Sequence, residues 1–300
     1  MLSSLWVLAT LIAAAAQTAR NAAQAGLTAK IGTLGATQVR FLYGLPFAAI
    51  FLWLAALGTG EGPPALTGTA LAYTTLGALA QIGATALMLV TMKRRSFAVT
   101  TAWIKTEPVL VALLAVILIG DPLTWPKLVA ITVATAGVVI LSTKPETAKG
   151  MLTDWTPAAT GLLAGLLFGV AAIGFRGGII NLPEGGFLIR ASTILVLSLV
   201  IQSAALLLWL ALFDRTALTA SFTVWRASLL AGFLGAFASQ FWFIGFSLTS
   251  AANVRTLALV EVLMALAVSA FVFRQPVSGR QKLGMAVIVA GVGLLLMSQA

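Results

Sequence analysis

Residues 103–120 read WIKTEPVLVALLAVILIG, an apolar run that opens with Lys105, Glu107 and Pro108. An ionised side chain near a bilayer centre costs about 2.5 kcal/mol or more on insertion scales, so such groups face protein or water and mark ion or solute paths. A second carboxylate, Glu261, sits in a similar apolar run. Each is about ten residues into its run, on the order of 15 Å along a helix axis. Two chemistries fit this placement. The carboxylates bind a proton or a substrate amine, or they are buried groups hydrogen-bonded to helix ends. Lys105 is two residues from Glu107 and projects roughly 200° around the helix from it, so the two cannot pair simply within one helix. The position equivalent to Lys105 before Glu261 is Leu259. Glu261 is therefore expected to be the reversible proton site, and Glu107 a structural or substrate-amine partner. Pro108 lacks a backbone N–H and frees the carbonyl of Ile104, which predicts a kink beside Glu107.

Other polar groups fall in apolar runs. Gln81, Gln240, Trp103 and Trp242 are candidates to line a cavity, or they pack. Arg20, Arg40, Arg176 and Arg190 lie near the ends of such runs and read as interfacial anchors or substrate contacts. The chain has no Cys and no His. That excludes a thiol nucleophile, a disulfide and imidazole chemistry, and neither a metal centre nor a cofactor is expected. GTGEG at 58–62 lacks the Lys-Ser/Thr of a phosphate loop and runs into Pro-Pro. An enzyme would have only carboxylates for acid–base work, so the chain is expected not to be one. The alternative function is a membrane-embedded enzyme or flippase acting on a lipid-linked substrate.

The elements that position these groups must be membrane helices. Of 300 residues 60% are hydrophobic and 9% charged, with mean hydropathy +1.05. Water-soluble domains carry about 25% charged residues. A span needs about 20 apolar residues, and ten such stretches are predicted, near 3–19, 34–57, 68–91, 97–119, 126–143, 156–175, 187–211, 223–246, 251–273 and 280–298. No Lys or Arg precedes the first, so it reads as an uncleaved span rather than a secretory signal. Gly161, Gly165 and Gly169, continued by Gly174 and Gly178, are spaced for close helix packing.

A shift of 154 residues lays Glu107 on Glu261, Pro122 on Pro276, Gly137 on Gly291, Val138 on Val292 and Leu141 on Leu295. With small gaps, Arg20 pairs with Arg176, Arg40 with Arg190, and LGALAQ (76–81) with LGAFASQ (234–240). The fold class expected is an all-α integral membrane protein of two five-helix repeats, 1–143 and 156–298. Five spans per repeat is odd, so the second repeat is inverted. Carriers of this architecture bind solute near the midplane between the repeats.

At Glu107-Pro108, Gly120-Asp121, Leu123-Thr124 and Gly137-Val138, residues 106–141 resemble the fourth and fifth spans of EamA-type transporters of the drug/metabolite transporter superfamily. RFLYGLPFA (40–48) resembles the second span. The second half follows the pattern more loosely, without a Pro after Glu261 and with Arg274-Gln275 at the turn. The resemblance implies a metabolite carrier, often an exporter, in the bacterial inner membrane. Its partners are a small-molecule solute, amino-acid-like or amphipathic, and the lipid bilayer. In place of the aromatic-Gly pair usual in the family's first span stands AQTARNAAQ (16–24), so solute identity is not carried over.

The net charge of +10 comes from short loops and points to topology rather than nucleic acid. Odd-numbered loops hold twelve cations (Arg20, Lys30, Lys93, Arg94, Arg95, Lys144, Lys149, Arg215, Arg226, Arg274, Arg280, Lys282). The even ones hold four (Lys127, Arg176, Arg190, Arg255). The bias places both termini outside the cytoplasm, opposite to the orientation the resemblance implies. Ala286 and Ala290 are spaced to support a homodimer.

Overall fold

The computed structural model describes residues 2–92, 104–142, 156–271 and 277–298, and these are helices joined by short turns. In chain order they are α1 (Leu2–Leu42), α2 (Leu45–Thr59), α3 (Gly68–Met92), α4 (Glu107–Ile119), α5 (Trp125–Ser142) and α6 (Thr156–Ile180). There follow α7 (Phe187–Phe213), α8 (Arg215–Thr223), α9 (Trp225–Leu248), α10 (Ala251–Leu257), α11 (Val260–Phe271) and α12 (Gly279–Met297). Six stretches are long and apolar enough to cross a membrane: Leu34–Thr59, Gly68–Met88, Ala159–Ile180, Phe187–Phe213, Trp225–Leu248 and Gly279–Met297. The expected spans at 97–119 and 126–143 correspond to the shorter α4 and α5. The one at 251–273 is broken into α10 and α11, and the one at 3–19 lies within α1.

The chain divides into two compact units, and each draws on both halves of the sequence. The first comprises Met1–Ile82 and Gly174–Thr249, the second Gly83–Ile173 and Ser250–Ala300. Helices α3 and α6 contribute residues to both.

In the first unit α1 packs along α9 and α2 along α7. Leu27, Ile31, Ala36, Val39 and Ala231 form its core cluster. Small residues let the backbones approach. A Cβ on Gly232 would lie 2.6 Å from the Tyr43 carbonyl carbon, and one on Gly174 would lie 2.7 Å from the backbone of Gly77. The expected packing role of Gly174 and Gly178 is thus realised against α3. Helix α1 is interrupted at Gly32, whose φ of 74° lies in the left-handed region that side chains disfavour.

In the second unit α5 and α12 pack over most of their length. A Cβ on Gly137 would meet the Ile288 nitrogen at 2.6 Å; one on Gly291 would meet the Ala134 Cα at 2.6 Å. Under the shift of 154, Gly137 becomes Gly291 and Ala134 becomes Ile288, so these two contacts are one contact made twice. Gly284 lies against Leu141, and Arg280 Nε donates to the Ile140 carbonyl at 2.9 Å. The start of α12 therefore meets the end of α5, and the two repeat-equivalent helices run antiparallel.

The outward faces are apolar. Leu57, Leu208, Leu212, Ile117 and Val289 are exposed. Trp125, Trp225 and Phe213 are exposed at helix ends, where aromatic rings sit at membrane–water interfaces.

Candidate functional site

Two broken helices build the centre of the second unit. Pro108 cannot donate to Ile104, and the helix breaks at Lys105-Thr106; the Val109 N–H turns instead to the Thr106 carbonyl at 3.1 Å. Glu107 becomes the first residue of α4, where the helix dipole favours a carboxylate. The second half breaks at Ala258-Leu259, the equivalent place to within one residue, without a proline. Its donors stay satisfied by tighter bonds, Leu259 N to Thr256 O at 3.1 Å, Glu261 N to Ala258 O at 2.9 Å and Val262 N to Leu259 O at 3.1 Å. Glu261 lies in the first turn of α11.

Each carboxylate meets a cation from the other half. Arg255 of α10 holds Glu107 in a two-bond fork, Nε to Oε1 at 2.5 Å and Nη2 to Oε2 at 2.6 Å. Lys105 Nζ donates to Glu261 Oε2 at 3.4 Å. The first pair is the more enclosed, with Arg255 and Glu107 side chains 16% and 8% exposed, against 24% and 13% for Lys105 and Glu261. A bidentate guanidinium–carboxylate pair is the stronger and more directional of the two. Glu261 has Leu259 rather than a Lys on its own helix, and its ammonium neighbour is Lys105 from the opposite half, a contact invisible along one helix. Arg255, counted above as a loop-flank charge, is instead the partner of Glu107. Its signal was a lone Arg six residues ahead of Glu261 in an otherwise apolar segment.

The remaining candidates fall in the first unit. Gln81 Oε1 accepts from Gln202 Nε2 at 2.7 Å, and the same nitrogen reaches the Ala78 carbonyl at 3.3 Å. Gln240 Nε2 donates to Ser192 Oγ at 2.9 Å, and Trp242 Nε1 to Gln17 Oε1 at 3.1 Å. Arg176 donates to the carbonyls of Phe246 at 2.8 Å and Thr249 at 2.6 Å, neutralising the C-terminal end of α9. Arg190 Nε reaches the Glu184 carbonyl at 3.2 Å. Arg176 and Arg190 thus act on helix ends and turns. Arg20 and Arg40 are buried within α1, at 5% and 6% exposure. Arg20 leaves the odd-loop count and Arg255 the even one, so the bias persists with one fewer on each side. Trp103 lies outside the described residues, as do Lys93, Arg94, Arg95, Lys144, Lys149 and Arg274. Among the described residues no group of His, Cys, Asp and Glu is arranged to hold a metal ion.

Membrane-length apolar helices, a twofold internal pattern and ion pairs enclosed between broken helices define a multi-pass integral membrane protein with the features of a carrier. The profile of the EamA-like transporter family matches twice, over residues 4–143 and 155–297. The chain belongs to that family and is a membrane transporter of the drug/metabolite transporter type, with a small-molecule solute and the bilayer as its partners. A solved structure described only as "Crystal structure of protein" shares the fold, with a TM-score of 0.68 at 17% identity over 99% of this chain and 98% of that one. No curated protein matches the sequence.

Proposed function

We propose that the chain is a secondary carrier of ten spans, in which repeat 156–298 is inverted relative to repeat 1–143, exporting a small amino-acid-like or amphipathic solute. The observation that carries this reading is the crossed pairing at the two helix breaks, Glu107 with Arg255 and Lys105 with Glu261. Broken helices with charges at their break points are how such carriers build a midplane site. The forked Glu107–Arg255 pair ties α4 to α10. The single, longer Lys105–Glu261 contact is the one a solute exchanges. A zwitterion offers a carboxylate to Lys105 and an ammonium to Glu261, replacing one ion pair by two. Alternating access then needs Lys105–Glu261 to open once per cycle. Bacterial inner-membrane placement, outward transport and termini outside the cytoplasm complete the reading. Ala286 and Ala290 are both exposed on α12, on a face suited to a homodimer.

The test uses purified protein in liposomes and a panel of radiolabelled zwitterionic amino acids. Glu261→Gln keeps shape and hydrogen bonding but cannot bind a proton reversibly. The variant is expected to exchange solute across the membrane while losing accumulation driven by a pH gradient. Accumulation with wild-type pH dependence would remove Glu261 as the coupling residue. Absence of exchange in the wild type for the whole panel, with anionic and cationic solutes transported instead, would overturn the zwitterion assignment.

A further inference from the structure

The first unit buries arginine side chains within its helices. Along α1, α2, α7 and α9 there is no Asp or Glu. The carboxylates of this unit are Glu61, Glu184 and Asp214, all at turns or helix ends. Glu61 Oε2 accepts from the Gly186 N–H at 2.8 Å, and Asp214 Oδ1 from the Ala217 N–H at 2.9 Å.

Arg40 is 6% exposed, and among the described residues its guanidinium makes no hydrogen bond and no ion pair. Its one close partner is the face of the Phe41 ring, 5.0 Å from Cζ. A ring face attracts the charge but satisfies none of the five N–H donors. Buried charges in proteins are otherwise paired, as the second unit illustrates. Arg20, also buried at 5% exposure, approaches the same place: a Cβ on Gly235 would lie 3.2 Å from Arg40 Cγ and 3.7 Å from Arg20 Cδ. The absence of a side chain at Gly235 leaves room for both arginine stems. Two arginine stems that meet at one glycine bring like charges into one region, where they repel each other and attract an anion.

We propose that Arg40, with Arg20 beside it, forms a binding site for a small oxyanion, a carboxylate or phosphate group, within the first unit. The planar fork of a guanidinium matches two oxygens of such a group, which a spherical chloride lacks. The positive charge excludes amines and metal ions. The site is separate from the Lys105–Glu261 pair, so it stands or falls independently of the carrier reading. Two sources supply this chemistry, a free anion and an anionic lipid headgroup.

Thermal unfolding of the full chain in neutral detergent and Tris chloride tests the site. Inorganic phosphate or acetate is expected to raise Tm saturably, above a chloride control of equal ionic strength. In Arg40→Gln that rise disappears, and Tm in chloride alone exceeds that of the wild type because an unsatisfied buried charge is gone. Arg40→Lys keeps the charge without the fork, and its half-saturating concentration is expected to rise at least tenfold. Nanodiscs of phosphatidylglycerol against phosphatidylcholine separate the sources. A rise in Tm with the anionic lipid alone, lost in Arg40→Gln, assigns the site to a headgroup; a rise with the free anions assigns it to a soluble ligand. No rise with any of these, an equal rise in Arg40→Gln, or an Arg40→Gln protein less stable than wild type in chloride would overturn the proposal. If Arg40→Gln is not recovered folded, Arg40→Lys decides: a wild-type half-saturation overturns the site.

Discussion

In the second unit every described carboxylate at a helix break has a cation opposite it; in the first, the helices carry cations only. The contrast follows from where the partners come from. Glu107, Lys105, Arg255 and Glu261 converge because equivalent helices of the two repeats break at equivalent places. The arginines of the first unit are handled singly, Arg176 by helix-end carbonyls and Arg40 by an aromatic face. Charge paired between the repeats has its partner in the fold, whereas the Arg40 guanidinium, met by an aromatic face, is available to something that arrives.

The comparison breaks most sharply at the forked pair. Removing one partner of a buried ion pair costs about 3–5 kcal/mol, because the other charge stays behind. Arg255→Ala or Glu107→Ala is expected to lower unfolding stability by about that amount, read from thermal or denaturant unfolding in detergent. Replacing both by Met and Leu should restore most of the stability but not transport. A single variant as stable as wild type would mean the fork does not tie α4 to α10.

A smaller loss is expected where α5 meets α12. Gly291→Ala adds a methyl 2.6 Å from the Ala134 Cα, with backbone rather than a flexible side chain in the way. Overpacking of this kind costs about 1–3 kcal/mol. Gly137→Ala makes the reciprocal clash with Ile288 and should cost a similar amount. Unequal costs, measured by unfolding of both variants, would show that the reciprocal geometry hides unequal packing.

Lys105→Gln should perturb stability least, by about 1 kcal/mol or less, as partly exposed pairs generally contribute. Its transport rate is nonetheless expected to fall severalfold in liposomes. A large loss of stability with unchanged transport would reverse the roles given to the two pairs.

Much of this was legible in the residues. A carboxylate inside an apolar run cannot be ignored, so Glu107 and Glu261 declared themselves, and Pro108 announced the break beside the first. The repeat was readable because glycines and charges recur in order. The break at Ala258-Leu259 was not readable, because Leu and Ala are ordinary helix formers and no proline or glycine marks it. Arg255 was hidden by its setting near a predicted span end, where a basic residue usually anchors at the interface. Arg20 was counted with the first loop because the predicted span ends at residue 19, yet the helix runs on through it and Arg20 is buried. Partner choice across the repeats depends on how the chain folds back, which spacing along one helix cannot reveal.

The crossed pairing also sets an order of events during synthesis. Glu107 is made first, and its partner Arg255 follows 148 residues later. At translation rates of about 5–20 residues per second, the wait is on the order of 7–30 s. For that interval the first half of the chain holds a carboxylate and an ammonium whose mates do not yet exist. Until the second half arrives, those helices have reason to stay near water or the insertion machinery rather than commit to lipid. A chain truncated before Arg255 would keep both charges without the mates they have in the full chain.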